Sequence, residues 1–273
     1  MKLNTKRFTF LAVIIFSLCS LNNVFAQFPS WSSVTPGANG PVFSIVEFNG
    51  ELIAAGSFTT PGRNIARYNG TKWDTLGTGL NDTVFALAVY NNKLIAVGSF
   101  DTAGGVVCNN IAQWNGTSWS PLGTGTNNTI FTVDTVGTSL FIGGRFTVAG
   151  GDSSSHLAMW EDSAWSPLGE GVNGNVYAFE RVGSGLFIGG AFTMSGTDTA
   201  KRIVRFDLDS SVYTPLGVGI DSGNVYAISR FQGVLYVGGD FRTIDGDTVN
   251  RIAIWNDTTW SPVGIGINGP VRT

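Results

Sequence analysis

A block of apolar and glycine-rich pieces returns six times along this chain, and that recurrence limits what the chain can fold into. The blocks start at Val42, Val84, Ile130, Val176, Val225 and Val271, separated by 42, 46, 46, 49 and 46 residues. A period of this length marks an array of supersecondary units, each too small to bury its own apolar face. Every full unit holds four pieces in fixed order. The first is a nearly continuous apolar run, such as Val84-Phe85-Ala86-Leu87-Ala88. Such a run without clean alternation is expected of a strand covered on both faces. The second is an aliphatic pair, small residues and a phenylalanine (Leu94 to Phe100), with Gly143-Gly144, Gly189-Gly190 and Gly238-Gly239 in the later units. The third alternates, as in Asn110-Ile111-Ala112-Gln113-Trp114, and the fourth reads Trp119-Ser120-Pro121-Leu122-Gly123.

Turn chemistry separates the pieces. Asn49-Gly50, Asn69-Gly70 and Asn115-Gly116 are hairpin signals, because both central residues of a type I′ turn need positive φ. Pro121, Pro167, Pro215 and Pro262 remove a ladder donor from the fourth piece, which places it on a sheet edge. Four strands running from an apolar first to a proline-bearing last describe one blade. The expected fold is therefore all-β: a β-propeller of four-stranded antiparallel blades over residues 27–273. A stacked solenoid would also repeat, but with one or two short strands per turn. Five blades are complete. Trp31-Ser32-Ser33-Val34 reads as a fourth strand without its partners, and Gly269 to Thr273 opens a further unit. The sequence is thus expected to be a piece of a larger ring of six or more blades.

The Gly-Gly-x-Phe-Thr, Asn-Ile-Ala-x-Trp and Trp-Ser-Pro-Leu-Gly pieces resemble the kelch-type repeats of secreted bacterial proteins. They are also similar to the propeller repeats of fungal cortical polarity-marker proteins. The resemblance runs from Trp31 to the end. It implies the propeller fold and no single function, since propellers host many activities.

Residues 1–26 read as a secretory signal peptide. Lys2, Lys6 and Arg7 precede the apolar run Phe8 to Leu18, and Val24-Phe25-Ala26 offers a cleavage site before Gln27. No later stretch approaches the roughly 20 apolar residues that a membrane span needs. The expected location is extracellular. Without the leader, 13 basic and 19 acidic residues remain. That balance and the absence of a basic run argue against nucleic acid. Only Cys108 survives cleavage, so no internal disulfide is expected.

Chemistry-bearing residues are sparse. Kelch-type oxidases hold copper through histidines and tyrosines, whereas this chain has one histidine, His156, in the slot filled elsewhere by Asn64, Asn110, Arg202 and Arg251. It reads as a polar residue entering the third strand. Cys108 lies in a glycine-rich loop with no histidine nearby and reads as an incidental thiol. Asp152, Asp198, Asp245 and Asp247 fall between second and third strands; Asp245-Gly246-Asp247 lacks the remaining ligands of a calcium loop. The recurrent tryptophans are expected to pack between blades. No cofactor or metal is expected, and no catalytic residue is assigned. The function expected is a secreted binding, adhesion or interaction scaffold for an unidentified protein or glycan. Asp152, His156, Asp245 and Asp247 are the candidate ligand-binding residues of its loop face. The competing reading is a glycan-active hydrolase or lyase using carboxylates near the ring axis, such as Glu47 or Glu180.

Overall fold

The computed structural model describes residues 37–161 and 163–272. The leader, its cleavage point and Trp31–Val34 lie outside them. The described residues form 28 strands and no helix. Twenty strands make five four-stranded sheets, each paired in the order first, second, third, fourth, and every pairing is antiparallel. In unit two the strands are Val84–Tyr90, Lys93–Gly98, Ile111–Trp114 and Trp119–Pro121. The proline-bearing fourth strand pairs only with the third, so the missing N–H faces outward.

First strands of consecutive units are neighbours, which puts them at the inner edge of the array. Between adjacent sheets lies an apolar core. Phe100, Phe146, Phe192 and Phe241, the phenylalanines that follow the small-residue piece, are fully buried. The fourth-strand aromatic of units two to five wedges against the unit before it: the Trp119 indole donates to Leu76 O (3.1 Å), Trp165 to Leu122 O (3.1 Å), the Tyr213 hydroxyl to Leu168 O (2.5 Å) and Trp260 to Leu216 O (3.0 Å). The tryptophans do pack between sheets.

Two expectations change. The stretches between second and third strands are not plain loops in units two to five. Each is a two-stranded ribbon: Thr102–Ala103 with Val106–Val107, Val148–Ala149 with Asp152–Ser153, Met194–Ser195 with Asp198–Thr199, and Thr243–Ile244 with Asp247–Thr248. In three of the four ribbons paired positive φ values, such as 61° and 86° at Gly104-Gly105, let so short a hairpin reverse. Unit one lacks a ribbon, which accounts for its shorter period. Secondly, of the three Asn-Gly pairs only Asn49-Gly50 turns with two positive φ values, 52° and 78°. Asn69 and Asn115 instead accept backbone N–H groups with their side-chain oxygens, Asn69 from Thr71 and Lys72, Asn115 from Thr117 and Ser118.

Candidate functional site

Strand direction gathers the variable parts at one end. With all pairings antiparallel, the second-to-third ribbons, the connectors between units and the beginnings of the first strands share that end. Tight turns occupy the other. The ribbons are bolted down by the preceding connector: Leu80 bridges Ala103, Thr126 bridges Ala149, Val172 bridges Ser195 and Ile220 bridges Ile244. An asparagine in three of these four connectors adds a clamp, the fourth carrying Asp221 at that position. Asn81 Oδ1 accepts from the N–H groups of Asp101 and Thr102, Asn127 from Thr147 and Val148, and Asn173 from Thr193 and Met194. Four ribbons therefore stand on a rigid base, and the strand Val106–Val107 leaves both valines exposed, 43% and 65%.

At the inner edge of the same end lies a feature the sequence reading passed over. Every first strand carries a β-bulge at one position, between Val42/Ser44, Val84/Ala86, Ile130/Thr132, Val176/Ala178 and Val225/Ala227. The residue skipped by the ladder is aromatic each time: Phe43, Phe85, Phe131, Tyr177 and Tyr226. A bulge re-aims its extra side chain out of the sheet faces. The five rings form a ladder from unit to unit, with centroids 5.6, 5.2, 5.1 and 5.2 Å apart and tilted or edge-on contacts. Arg272 continues it in the next register position, its guanidinium 4.5 Å from the Tyr226 ring. The bulge requires glycine opposite. A Cβ at Gly56, Gly98, Gly144, Gly190 or Gly239 would sit 1.9–2.3 Å from a backbone carbonyl oxygen of the first strand's lead-in.

The ladder's hydroxyl end is polar. Asn175 Nδ2 donates to Tyr177 Oη and Asn224 Nδ2 to Tyr226 Oη, both at 3.1 Å, and Tyr226 donates to Asp240 Oδ2 at 3.0 Å. Asp240 also accepts from Asn224 N. Burial, seconded by the adjacent Asp240 carboxylate, raises the Tyr226 phenol above its ordinary value, so it stays protonated. The signal for this band was present as a strict aromatic recurrence at the second place of each unit. It was hidden inside an apolar run whose bulge nothing in the local sequence announces.

Of the sequence candidates, Asp152, Asp245 and Asp247 sit on ribbons, exposed. Asp245 occupies a turn position with φ of 53° and, with Asp247, borders a depression of about 310 Å³ that Trp255 and Trp260 also line. Asp152 belongs to a ribbon two units away. His156 is half-buried at the entrance of its third strand, with φ of 66°, and its Nδ1 lies 3.2 Å from Gly144 O. Burial holds its pKa below the ordinary value. The four residues share one end of the array without converging. Cys108 is buried, which raises its thiol pKa, and Sγ contacts Val106 O. Glu47 and Glu180 lie further along their first strands, in units one and four, and Glu180 Oε1 accepts from Arg230 N. No group of three or more His, Cys, Asp or Glu side chains is placed to hold a metal ion among the described residues. Among them also, no helix is long and apolar enough to cross a membrane.

With this geometry in view, the similarities to known proteins agree. A family model described as a domain of unknown function, DUF5122, beta-propeller, matches residues 186–212, the second strand through to the fourth of unit four. No curated protein matches the chain. Among 221 matching chains of solved structures is the computationally designed Ika8 protein, in a crystal structure. It matches at TM-score 0.53 and 13% identity over 87% of this chain. The chain spans 65% of that structure's length. At such identity the likeness concerns the fold alone. The chain is a β-propeller repeat protein, and propellers serve broadly as interaction scaffolds.

Proposed function

We propose that this chain is an exported, kelch-type propeller whose ribbon-bearing end binds a protein or glycan outside the cell, as part of a ring of six or more blades. One observation carries the reading. Four ribbons, the unit connectors and the aromatic ladder all meet at one end of a rigid β scaffold, where recognition loops are commonly carried. The exposed Val106 and Val107 fit a contact surface, since ribbon tips with no partner have no folding reason to be apolar. A further unit is supported by Val271, which crowds Gly238 as Val225 crowds Gly189. The leader pattern of residues 1–26 supports export.

The test is a glycan and surface-protein array probed with chain 27–273 and with the double variant V106D/V107D. Binding that the variant reduces at least about tenfold supports the reading, a loss of about 1.4 kcal/mol being commonplace for apolar contacts. Retained binding by the variant, or turnover of any bound glycan, overturns it.

A further inference from the structure

Unit five departs from its sisters where its ribbon meets its fourth strand. In units two and three a ribbon glycine lies against the fourth-strand tryptophan. A Cβ at Gly104 would sit 2.9 Å from Trp119 Cδ1, and one at Gly150 would sit 2.8 Å from Trp165 Cβ. The same glycines tie the ribbon down, Gly104 N donating to Gly79 O at 2.9 Å and Gly150 N to Gly125 O at 3.0 Å. Unit five has Asp245 at this place, with the same left-handed backbone, φ of 53° against 61° and 69°. A side chain cannot take the glycine's seat on the indole, because its Cβ would overlap the ring. Accordingly, Asp245 N makes no such bond to Gly219 O. The ribbon tip is held instead by Gly246 N, which donates to Asp221 Oδ2 at 3.1 Å.

Between this ribbon and the fourth strand lies the depression of about 310 Å³. Its lining is of two kinds. Trp255 and Trp260, with centroids 5.0 Å apart, supply aromatic surface beside the buried Ile244 and Val249. The Trp260 N–H is already engaged on Leu216 O, so its half-buried ring offers a ligand only its π surface. Asp245 and Asp247 supply two exposed carboxylates. The ion pairs among the described residues use Glu51, Asp74, Asp207 and Asp221, so neither carboxylate of the depression has a cationic partner there.

We infer that this depression is a binding site for a guanidinium group, the arginine side chain of a partner protein, held between the Trp260 ring and the Asp245 and Asp247 carboxylates. Charge complementarity selects that occupant. An indole is the best aromatic partner for a cation, and two unpaired carboxylates add to the same attraction. A guanidinium satisfies both at once, being planar, weakly hydrated and armed with a fork of N–H donors that matches a carboxylate. A neutral sugar would leave the two charges uncompensated, and an anion would be repelled. The inference names the chemistry of one part of the ribbon-bearing end and rests on the reading of that end as a binding surface.

Titration of nitrogen-15 tryptophan-labelled chain 27–273 with N-acetyl-arginine amide tests it, each indole signal being assigned by its Trp→Phe variant. The expected result is a saturable shift of the Trp260 signal that Trp119 and Trp165 do not share and that weakens as salt is raised. D245N/D247N should weaken binding at least about tenfold, since it removes both charges the cation meets. D245G should abolish the response by letting the ribbon settle on Trp260 as it settles on Trp119. The unmoved Trp119 and Trp165 signals show in the same spectra that each variant is folded. A silent Trp260 overturns the inference, as does an affinity that D245N/D247N leaves unchanged. An equal response to methyl glucoside overturns it too, by assigning the depression to a glycan. A Trp260 response without any ligand on the array supports the site while removing the wider reading. Array binding that V106D/V107D abolishes, with Trp260 silent to arginine, removes the site alone.

Discussion

At the scale of single residues, the repeat makes each unit a control for the others. His156, Asn64, Asn110, Arg202 and Arg251 share one position, and all have φ between 61° and 71°. The left-handed conformation, not the imidazole, is what this site selects, and asparagine tolerates it best of the non-glycine residues. His156→Asn is therefore expected to keep or slightly raise stability, whereas His156→Val should lose about 1–2 kcal/mol in a denaturant titration. The histidine also carries a pH effect. Burial lowers its pKa in the folded state, so the unfolded chain binds the proton more readily. Stability is full above the unfolded value of about 6.5 and falls as pH drops through the lowered folded value. A melting-temperature series across pH 7 to 5 should show that slope in the native chain and a shallower one in His156→Asn. Trp165→Phe removes the indole bond to Leu122 O together with part of the buried ring's packing and should cost about 2–3 kcal/mol.

At the scale of the strand, the glycine pairs divide into two jobs. A Cβ at Gly189 would lie 2.4 Å from Val225 Cγ1, a side chain of the next unit, and units one and two place Ala55 and Val97 at this position. A Cβ at Gly190 would lie 2.0 Å from Asn175 O, backbone of its own sheet, and glycine recurs there in all five units. Close packing between blades thus explains the first glycine, as expected from sequence, and the bulge explains the second. Gly190→Ala should destabilise by about 3 kcal/mol or more, and Gly189→Ala by about 1, because a side chain can yield where a carbonyl cannot. This division marks what was legible in the sequence. Strand order, the proline edge and the unit boundaries follow from periodicity and propensity, which are local. The ribbons were missed because a two-residue strand such as Asp152–Ser153 has no period to detect. The aromatic ladder was missed because Phe85 and Phe131 become neighbours only through packing 46 residues apart. The acidic candidates were chosen by residue type, and chemistry alone could not tell that Asp152 and Asp245 stand two units apart.

At the scale of the whole array, each unit is stabilised chiefly by its two neighbours, as in other repeat proteins. Units two to four have both flanks covered; unit one leaves Val42, Phe43 and Ile45 open. Amide exchange should therefore be slowest in the first strands Val84–Tyr90, Ile130–Val136 and Val176–Val182, and at least about tenfold faster in Val42–Phe48, following local opening free energies. Uniform exchange across the five sheets would contradict a nearest-neighbour account. The same regularity has an optical consequence. Trp114 and Trp119, Trp160 and Trp165, and Trp255 and Trp260 face each other across the third and fourth strands in one register, at 5.3, 5.1 and 5.0 Å and tilts of 50°, 59° and 47°. Two indole chromophores held so close and so skewed couple their transition dipoles, and identical placement makes the three couplets add rather than cancel. The outer edge of the array is thus a built-in chiroptical gauge: Trp160→Phe should silence one of the three contributors to the circular dichroism signal, and the remainder should vanish in step with the undocking of the fourth strands.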